Sequence, residues 1–240
     1  MARYNLEACL SPAIFDRYAD PEAIVVVIDI LRASSAICNA FANGAGCIIP
    51  VPDLETAREY KKKGYTVAAE RDGYVQDFAD FGNSPFNFTP ERVRGKTIVY
   101  SATNGTMSIN VASKCHRVVV GSFLNIGCLE KWLLKQERDI ILLCAGWKGK
   151  VSLEDSVFAG ALAARLMDSE KFTSICDSVS IVLDLWRLAK KDILSYIDKA
   201  AQRNRLREKG LDDCIPFCHR QDSTDVIPYL EKDKLFNLDF

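Results

Sequence analysis

The chain has 240 residues and a mass of 26.8 kDa, with 48% hydrophobic and 26% charged residues, the proportions of a soluble globular protein that can bury a substantial core. Lysine plus arginine number 31 against 32 acids, a net charge of −1, which argues against a nucleic-acid or anionic-membrane surface as the main business of the protein. Apolar runs fall short of the roughly 18 residues of a membrane span. Residues Met1 to Glu7 lack the basic-then-apolar layout of a secretory signal, and nine scattered cysteines read as reduced thiols of a cytoplasmic protein.

In chain order, Ile24-Val-Val-Val-Ile28 predicts a strand, and the small-residue stretch Ala33 to Asn43, closed by Gly44, a helix. Asp29 stands between them, three residues before Arg32. A carboxylate at a strand end can bind Mg²⁺, act as a nucleophile or cap the next helix. The haloacid-dehalogenase type of aspartyl phosphatase needs a second Asp two positions on, where Leu31 stands. Cys47 to Val51 predicts a second strand. Asp53 then caps a helix through Lys63, with Glu55 and Glu59 early, Lys61 to Lys63 late and Gly64 as the stop.

The strand Tyr65 to Ala69 runs into Glu70-Arg71-Asp72-Gly73, two carboxylates around an arginine with a turn-permitting glycine. Downstream, Asp80-Phe-Gly-Asn-Ser-Pro85 offers Asn83 and Ser84 as neutral donors; it can wrap an anion or form an ordinary Asn-Ser-Pro turn. The strand Thr97 to Tyr100 leads to Ser101-Ala-Thr-Asn-Gly-Thr106. There Thr103, Asn104, Gly105 and Thr106 either seat a phosphate at a helix start or simply begin the helix. The lysine and spacing of a P-loop are absent. A strand at Val118 to Val120 and a helix at Leu129 to Gln136 follow.

The strand Asp139 to Leu143 enters Cys144-Ala-Gly-Trp-Lys-Gly-Lys150, with Cys144 six residues before a basic residue, as in cysteine phosphatases. That chemistry relies on the planar fork of arginine, and Lys150 lacks it, so Cys144 reads as a packing residue. Glu154 and Asp155 open a helix running to Glu170, as metal ligands or as acids favouring the helix dipole. Leu185 to Lys209 is charged and helical, and the basic run Lys199, Arg203, Arg205, Arg207, Lys209 reads mainly as a solvated face, with one or two arginines reaching an anionic ligand as the minor alternative. A Pro-punctuated tail holds Cys214, Cys218 and His219, too few ligands at too loose a spacing for structural zinc.

Alternation of strands and helices predicts an α/β fold, layered α/β/α with a largely parallel or mixed sheet. We expect a single domain over 1–240, with a helical C-terminal part from about residue 180 packing on it. Strands of such a sheet deliver their carboxyl ends to one edge, so the four charged loops should converge on one pocket. Arg32, Arg71, Lys148 and Lys150 would supply cations there, and Asn83, Ser84, Asn104 and Thr106 neutral donors.

The segments Val27-Ile-Asp-Ile-Leu-Arg-Ala33, Gly44-Ala45 with Ile49-Pro-Val51, Glu70-Arg71, Asp80 to Pro85, Thr103 to Thr106, Cys144-Ala-Gly146, Gly149 and Glu154-Asp155 with Ala159-Gly160, taken in this order, resemble the 2-phosphosulfolactate phosphatase family, the ComB-like proteins. The likeness continues through Gly210, Asp213 and Asp222 to Pro228. The resemblance implies a family-specific α/β fold and a Mg²⁺-dependent phosphatase converting 2-phospho-3-sulfolactate to 3-sulfolactate and phosphate, as in coenzyme M biosynthesis. Ser101-Ala102 and Asn87 depart from the family's pattern.

On that basis Asp29, Arg32, Arg71 and Glu154 are the expected catalytic residues. Asn83, Ser84, Thr103, Asn104, Gly105, Thr106 and Lys148 are expected to bind substrate, and Asp29, Glu70, Glu154 and Asp155 to ligate Mg²⁺. Metal-assisted attack by water is favoured over Asp29 as nucleophile, since the aspartyl-phosphatase signature is missing. The expected partner is a small anionic phosphorylated sulfonate or hydroxy acid, with no nucleic acid and no membrane, and homo-oligomerisation left open. A phosphatase for another small phosphorylated hydroxy acid, and a non-catalytic binder of small anions, are the alternatives.

Overall fold

A computed structural model describes residues 4–239. Met1 to Arg3, on which part of the expectation about the N-terminus falls, and Phe240 lie outside the described residues. In chain order, β1 (Tyr4–Cys9) and β2 (Ile24–Ile28) lead to α1 (Ala33–Ala42), and β3 (Cys47–Pro50) to α2 (Leu54–Lys62). β4 (Thr66–Arg71) and the short β5 (Tyr74–Val75) precede α3 (Pro90–Val93). Three strand–helix pairs follow: β6 (Thr97–Ser101) with α4 (Gly105–Val111), β7 (Arg117–Gly121) with α5 (Ile126–Leu133), and β8 (Ile140–Cys144) with α6 (Leu153–Asp168). After β9 (Phe172–Thr173) come α7 (Asp177–Ala189), α8 (Ile193–Tyr196), α9 (Ala201–Glu208) and α10 (Ile215–Cys218), and then the hairpin β10 (Pro228–Glu231) and β11 (Lys234–Asn237).

Local chemistry accounts for these elements. All five residues of β2 are β-branched and buried, as a central strand covered on both faces requires. Asp53 caps α2 by accepting the Thr56 amide at 2.7 Å, and Lys61 and Lys62 close that helix against its dipole. Ser152 caps α6 through the Asp155 amide.

The strands form one sheet in the order β5-β4-β6-β3-β11-β10-β7-β2-β8-β1-β9. Pairing is parallel except for β4 with β5 and for the ladders made by the final hairpin. That hairpin is wedged antiparallel between β3 and β7, so the last segment is strand as well as helix. The C-terminal helical stretch is itself broken: α7 ends at Ala189 and Asp192 caps a new turn by accepting the Ser195 amide.

One curved sheet carries three cores. Alternate residues of β2, β7 and β8 (Val25, Val27, Val118, Val120, Ile141, Leu143) share a core with Ile48, Ala68, Ile98 and Tyr100 of β3, β4 and β6, and with Ala36, Ile37 and Ile109 of α1 and α4. The opposite face of β2 and β8 packs on α5, α6 and α7. The opposite face of β3, β4 and β6 covers Ala57 of α2. In a flat sheet β4 and β2, six places apart, would lie about 29 Å from each other. Their shared core and shared cleft show that the sheet bends, with α1 and α4 inside the bend.

Candidate active site

The carboxyl ends of β2, β4 and β6, and the loop after β8, meet at a narrow cleft of about 30 Å³ lined by Asp29, Arg32, Glu70, Gly73, Asn83, Ala102, Thr103, Asn104 and Trp147, with Leu31, Gln202 and Leu206. Asp29 ends β2. Its Oδ1 accepts the Ala33 amide at 3.2 Å, and Ser34 bonds both its backbone groups, so the residue caps α1 while lining the cleft. Burial, then the like charges of Glu154 and Glu70, push the Asp29 carboxyl up to about 7 against the pull of the Ala33 amide and Arg32.

Arg32 is 5% exposed. Its Nη2 donates to Asn83 Oδ1 at 2.6 Å, while its buried Nη1 has no partner. A buried guanidinium nitrogen without an acceptor is costly, and an anion in the cleft would satisfy it. Asn83 thus acts through Arg32. Ser84 does not line the cleft; its carbonyl accepts the Asn87 amide.

Glu70, 5% exposed at the end of β4, accepts the Gly73 amide at 2.7 Å on Oε2 and the Thr103 hydroxyl at 2.9 Å on Oε1. Arg71 alternates to the other side. Its guanidinium donates to the carbonyls of Glu70 and Pro52 and to Ser101 Oγ, away from the cleft. Asn104 Oδ1 accepts the Lys148 amide at 3.1 Å, fixing the loop after β8. Lys148 reaches out to Asp72, an exposed pair at 2.8 Å that bridges the loops after β4 and β8.

Gly105 and Thr106 serve packing. Thr106 is fully buried with its hydroxyl on the Ala102 carbonyl. A Cβ on Gly105 would meet Ala33 Cβ at 2.5 Å and Asp29 Oδ2 at 2.9 Å, so only glycine lets α4 approach the Asp29 carboxylate this closely. Gly146 has φ +62°, and a Cβ there would run into the Lys150 carbonyl.

Asp155 and Glu154, both 2% exposed, divide the work at the start of α6. Asp155 accepts the amides of Ile30 at 2.9 Å and Gly146 at 3.1 Å, one on each oxygen. Burial, then Glu154 and Asp29, nevertheless hold its carboxyl well above the ordinary range. Glu154 is also raised, by burial first, and its Oε2 is buried with no partner. Cys144 is fully buried and its thiol is pushed far up by burial, the state of a packing residue rather than a thiolate nucleophile.

Among the described residues no three His, Cys, Asp or Glu side chains converge into a ready-made metal site. Mg²⁺ needs less: one or two carboxylates, with water and substrate phosphate completing its shell. Glu70 and Asp155 engage both oxygens with protein donors. Asp29 lines the cleft and Glu154 has an orphaned oxygen, and each raises its neighbours' proton affinity as unscreened acids do. Of the four acids, these two keep oxygen atoms that no protein donor occupies, Asp29 in the cleft and Glu154 beside an adjoining cavity, and carboxylate oxygens of this kind suit a hard cation.

Trp147, Gln202 and Leu206 also line the cleft and were not singled out from sequence. Gln202 Nε2 donates to the Leu31 carbonyl at 3.1 Å, and Arg205 stacks with Cζ 4.3 Å above the Trp147 ring. A tryptophan flanked by Gly146 and Gly149 in a strand-end loop was the available signal for one of them. The α9 residues carried none, because α9 reads as a charged solvated helix.

The chain is similar to known proteins over nearly its whole length. The family model for 2-phosphosulpholactate phosphatase matches residues 9–233. A probable 2-phosphosulfolactate phosphatase of Caldanaerobacter subterraneus subsp. tengcongensis is 34% identical over 214 residues, covering 88% of each chain. One from Thermotoga maritima is 35% identical over 205 residues, covering 85% of this chain and 88% of the relative. One from Clostridium novyi is 33% identical over 214 residues, covering 88% and 90% respectively.

Proposed function

The chain belongs to the 2-phosphosulfolactate phosphatase family of phosphoric monoester hydrolases, and from that premise we propose that it hydrolyses 2-phospho-3-sulfolactate to 3-sulfolactate and phosphate with Mg²⁺. The observation that carries this is Arg32: a buried guanidinium with Nη1 unpaired, on a residue that lines the same polar cleft as Asp29. Such a nitrogen calls for an anionic ligand, and a phosphoryl group supplies the oxygens.

Asp29 and Glu154 would hold the metal. Bound there, Mg²⁺ supplies Lewis acidity toward a phosphoryl oxygen and offsets developing negative charge. Arg32, held by Asn83, binds the phosphoryl group and stabilises charge spreading over its oxygens. A water attacks phosphorus, Glu70 takes its proton, and the ester P–O bond breaks with the leaving alkoxide taking a proton from solvent. Thr103 and Gly73 keep the Glu70 carboxylate in one orientation for that transfer. No helix among the described residues is long and apolar enough to cross a membrane.

The test is phosphate release from 2-phospho-3-sulfolactate, phospholactate and phosphoglycolate, with Mg²⁺ and with EDTA. Release that is fastest with the sulfonate substrate and lost in EDTA is expected. Binding of these compounds without release would leave an anion-binding protein in place of the enzyme. Asp29→Asn and Glu154→Gln should each lower turnover at least about a hundredfold and shift the Mg²⁺ titration; unchanged titrations would refute their role as ligands.

A further inference from the structure

Next to the cleft lies a second cavity, of about 150 Å³, lined by Ser152, Glu154, Lys199, Gln202 and Arg205 among others. Gln202 belongs to both cavities and forms the partition between them. Its Nε2 is bonded to the Leu31 carbonyl and its Oε1 accepts Arg205 Nε at 2.8 Å. The basic residues of α9 are not alike. Arg203 and Arg207 both pair with Asp198, whereas no carboxylate of the described residues lies within 4.0 Å of the Arg205 guanidinium. Arg205 is instead half-buried over the Trp147 ring, which itself lines the first cavity. Glu154 and Glu208 act on it only at longer range.

A half-buried arginine held over an aromatic ring, with an amide on its Nε and no carboxylate partner, is preorganised for an anion. We propose that Arg205 forms a second anion subsite of the same active site, seating the carboxylate or sulfonate of the substrate while Arg32 seats the phosphate. Gln202, which lines both cavities, lies between the two. This rests on the phosphatase reading above and extends it to substrate specificity: an esterified phosphate alone would leave Arg205 without a counter-ion, so the site selects small phosphate esters bearing another anionic group. Exposed Lys199 lines the same cavity and adds positive potential.

The experiment compares wild type and Arg205→Gln on three substrates: 2-phospho-3-sulfolactate, phospholactate, which lacks the sulfonate, and the phosphate ester of isethionate, which lacks the carboxylate. Arg205→Gln should lower kcat/KM for the full substrate roughly tenfold to a hundredfold, mostly through KM. The loss should be several-fold smaller for whichever truncated substrate lacks the group that Arg205 binds, and this identifies the group. Equal losses on all three, or no loss on any, would overturn the subsite. Arg205→Lys keeps the charge without the stacked plane; it should show the same substrate pattern with a smaller loss, and serves if Arg205→Gln does not fold. Should wild type release phosphate from none of the three, the enzyme reading fails separately. The subsite is then read by calorimetric binding of 3-sulfolactate, which Arg205→Gln should weaken at least about tenfold, and undiminished binding would overturn it.

Discussion

The Asp155 carboxylate accepts the Ile30 amide at 2.9 Å, a bond between residues 125 apart that ties the start of α6 to the strand end carrying Asp29. Its other oxygen takes the Gly146 amide. One side chain therefore sets the spacing of the β2 and β8 loops, and with it the distance between Asp29 and Glu154.

Asp155→Asn tests this. An amide offers one oxygen, so one of the two backbone N–H groups would face an NH₂ donor and stay unsatisfied in the interior. The expected loss is about 1–3 kcal/mol in urea unfolding. Turnover should fall as well, because the Asp29 loop loses its tether. A variant with unchanged unfolding midpoint and depressed turnover would instead make Asp155 a direct participant in the chemistry.

Gly105→Ala sets two effects against each other. Helix propensity favours alanine by up to about 1 kcal/mol. The new Cβ, however, meets Ala33 Cβ at 2.5 Å and Asp29 Oδ2 at 2.9 Å, and overpacking of this kind costs about 1–3 kcal/mol. We expect net destabilisation and a fall in kcat larger than the rise in KM, since the displaced atom belongs to the carboxylate proposed to hold the metal. Stabilisation by the substitution would show that α4 yields and that the contact is slack.

The strands that carry the site were legible because their chemistry is local: β2 is five β-branched residues, and α2 has its cap, its charge gradient and its stop between Asp53 and Gly64. The convergence of strand ends was also legible, though its cause was not. Flat-sheet reasoning would leave Asp29 and Glu70 far apart, the more so with the C-terminal hairpin inserted between their halves, and they meet because the sheet curves. Nothing local announces that Tyr229 pairs with Val119 or Leu235 with Ile48. The same holds within the site. Arg71 looked like a cation of the pocket, but strand alternation turns it to Pro52 and Ser101, while Gln202 and Arg205 arrive from α9, remote in sequence.

Arg32 and Arg71 should therefore respond differently to substitution. Arg32→Lys removes the fork that reaches Asn83 on one side and the cleft on the other, and a point charge does not replace it. KM should rise about tenfold or more. Arg71→Ala removes three hydrogen bonds to protein acceptors at a partly exposed position. It should cost on the order of 1 kcal/mol of stability and change KM less than twofold to threefold. Phosphate-release kinetics and urea unfolding of both variants give the comparison. A KM increase for Arg71→Ala matching that of Arg32→Lys would return Arg71 to the binding site.

His219 governs a separate, structural pH dependence. It is 7% exposed, with Nδ1 on the Ile215 carbonyl at 2.7 Å, Nε2 buried without a partner and its ring 5.4 Å from that of Phe123. Burial lowers its pKa from 6.5 to about 4. The unfolded chain thus binds a proton more readily than the folded one between these values. Stability contributed by the neutral ring is complete above about pH 6.5, declines as pH falls, and is exhausted near pH 4, a span of about 3 kcal/mol. Buried carboxylates with raised pKa values act in the opposite sense, so the signal is the difference between wild type and His219→Phe. Phenylalanine keeps the ring packing and removes the titrating nitrogen. Urea unfolding at about pH 4.5 and about pH 7 should show wild type losing up to a few kcal/mol relative to the variant on acidification. Parallel pH dependence in the two proteins would mean that His219 is protonated in the fold and finds an acceptor for Nε2.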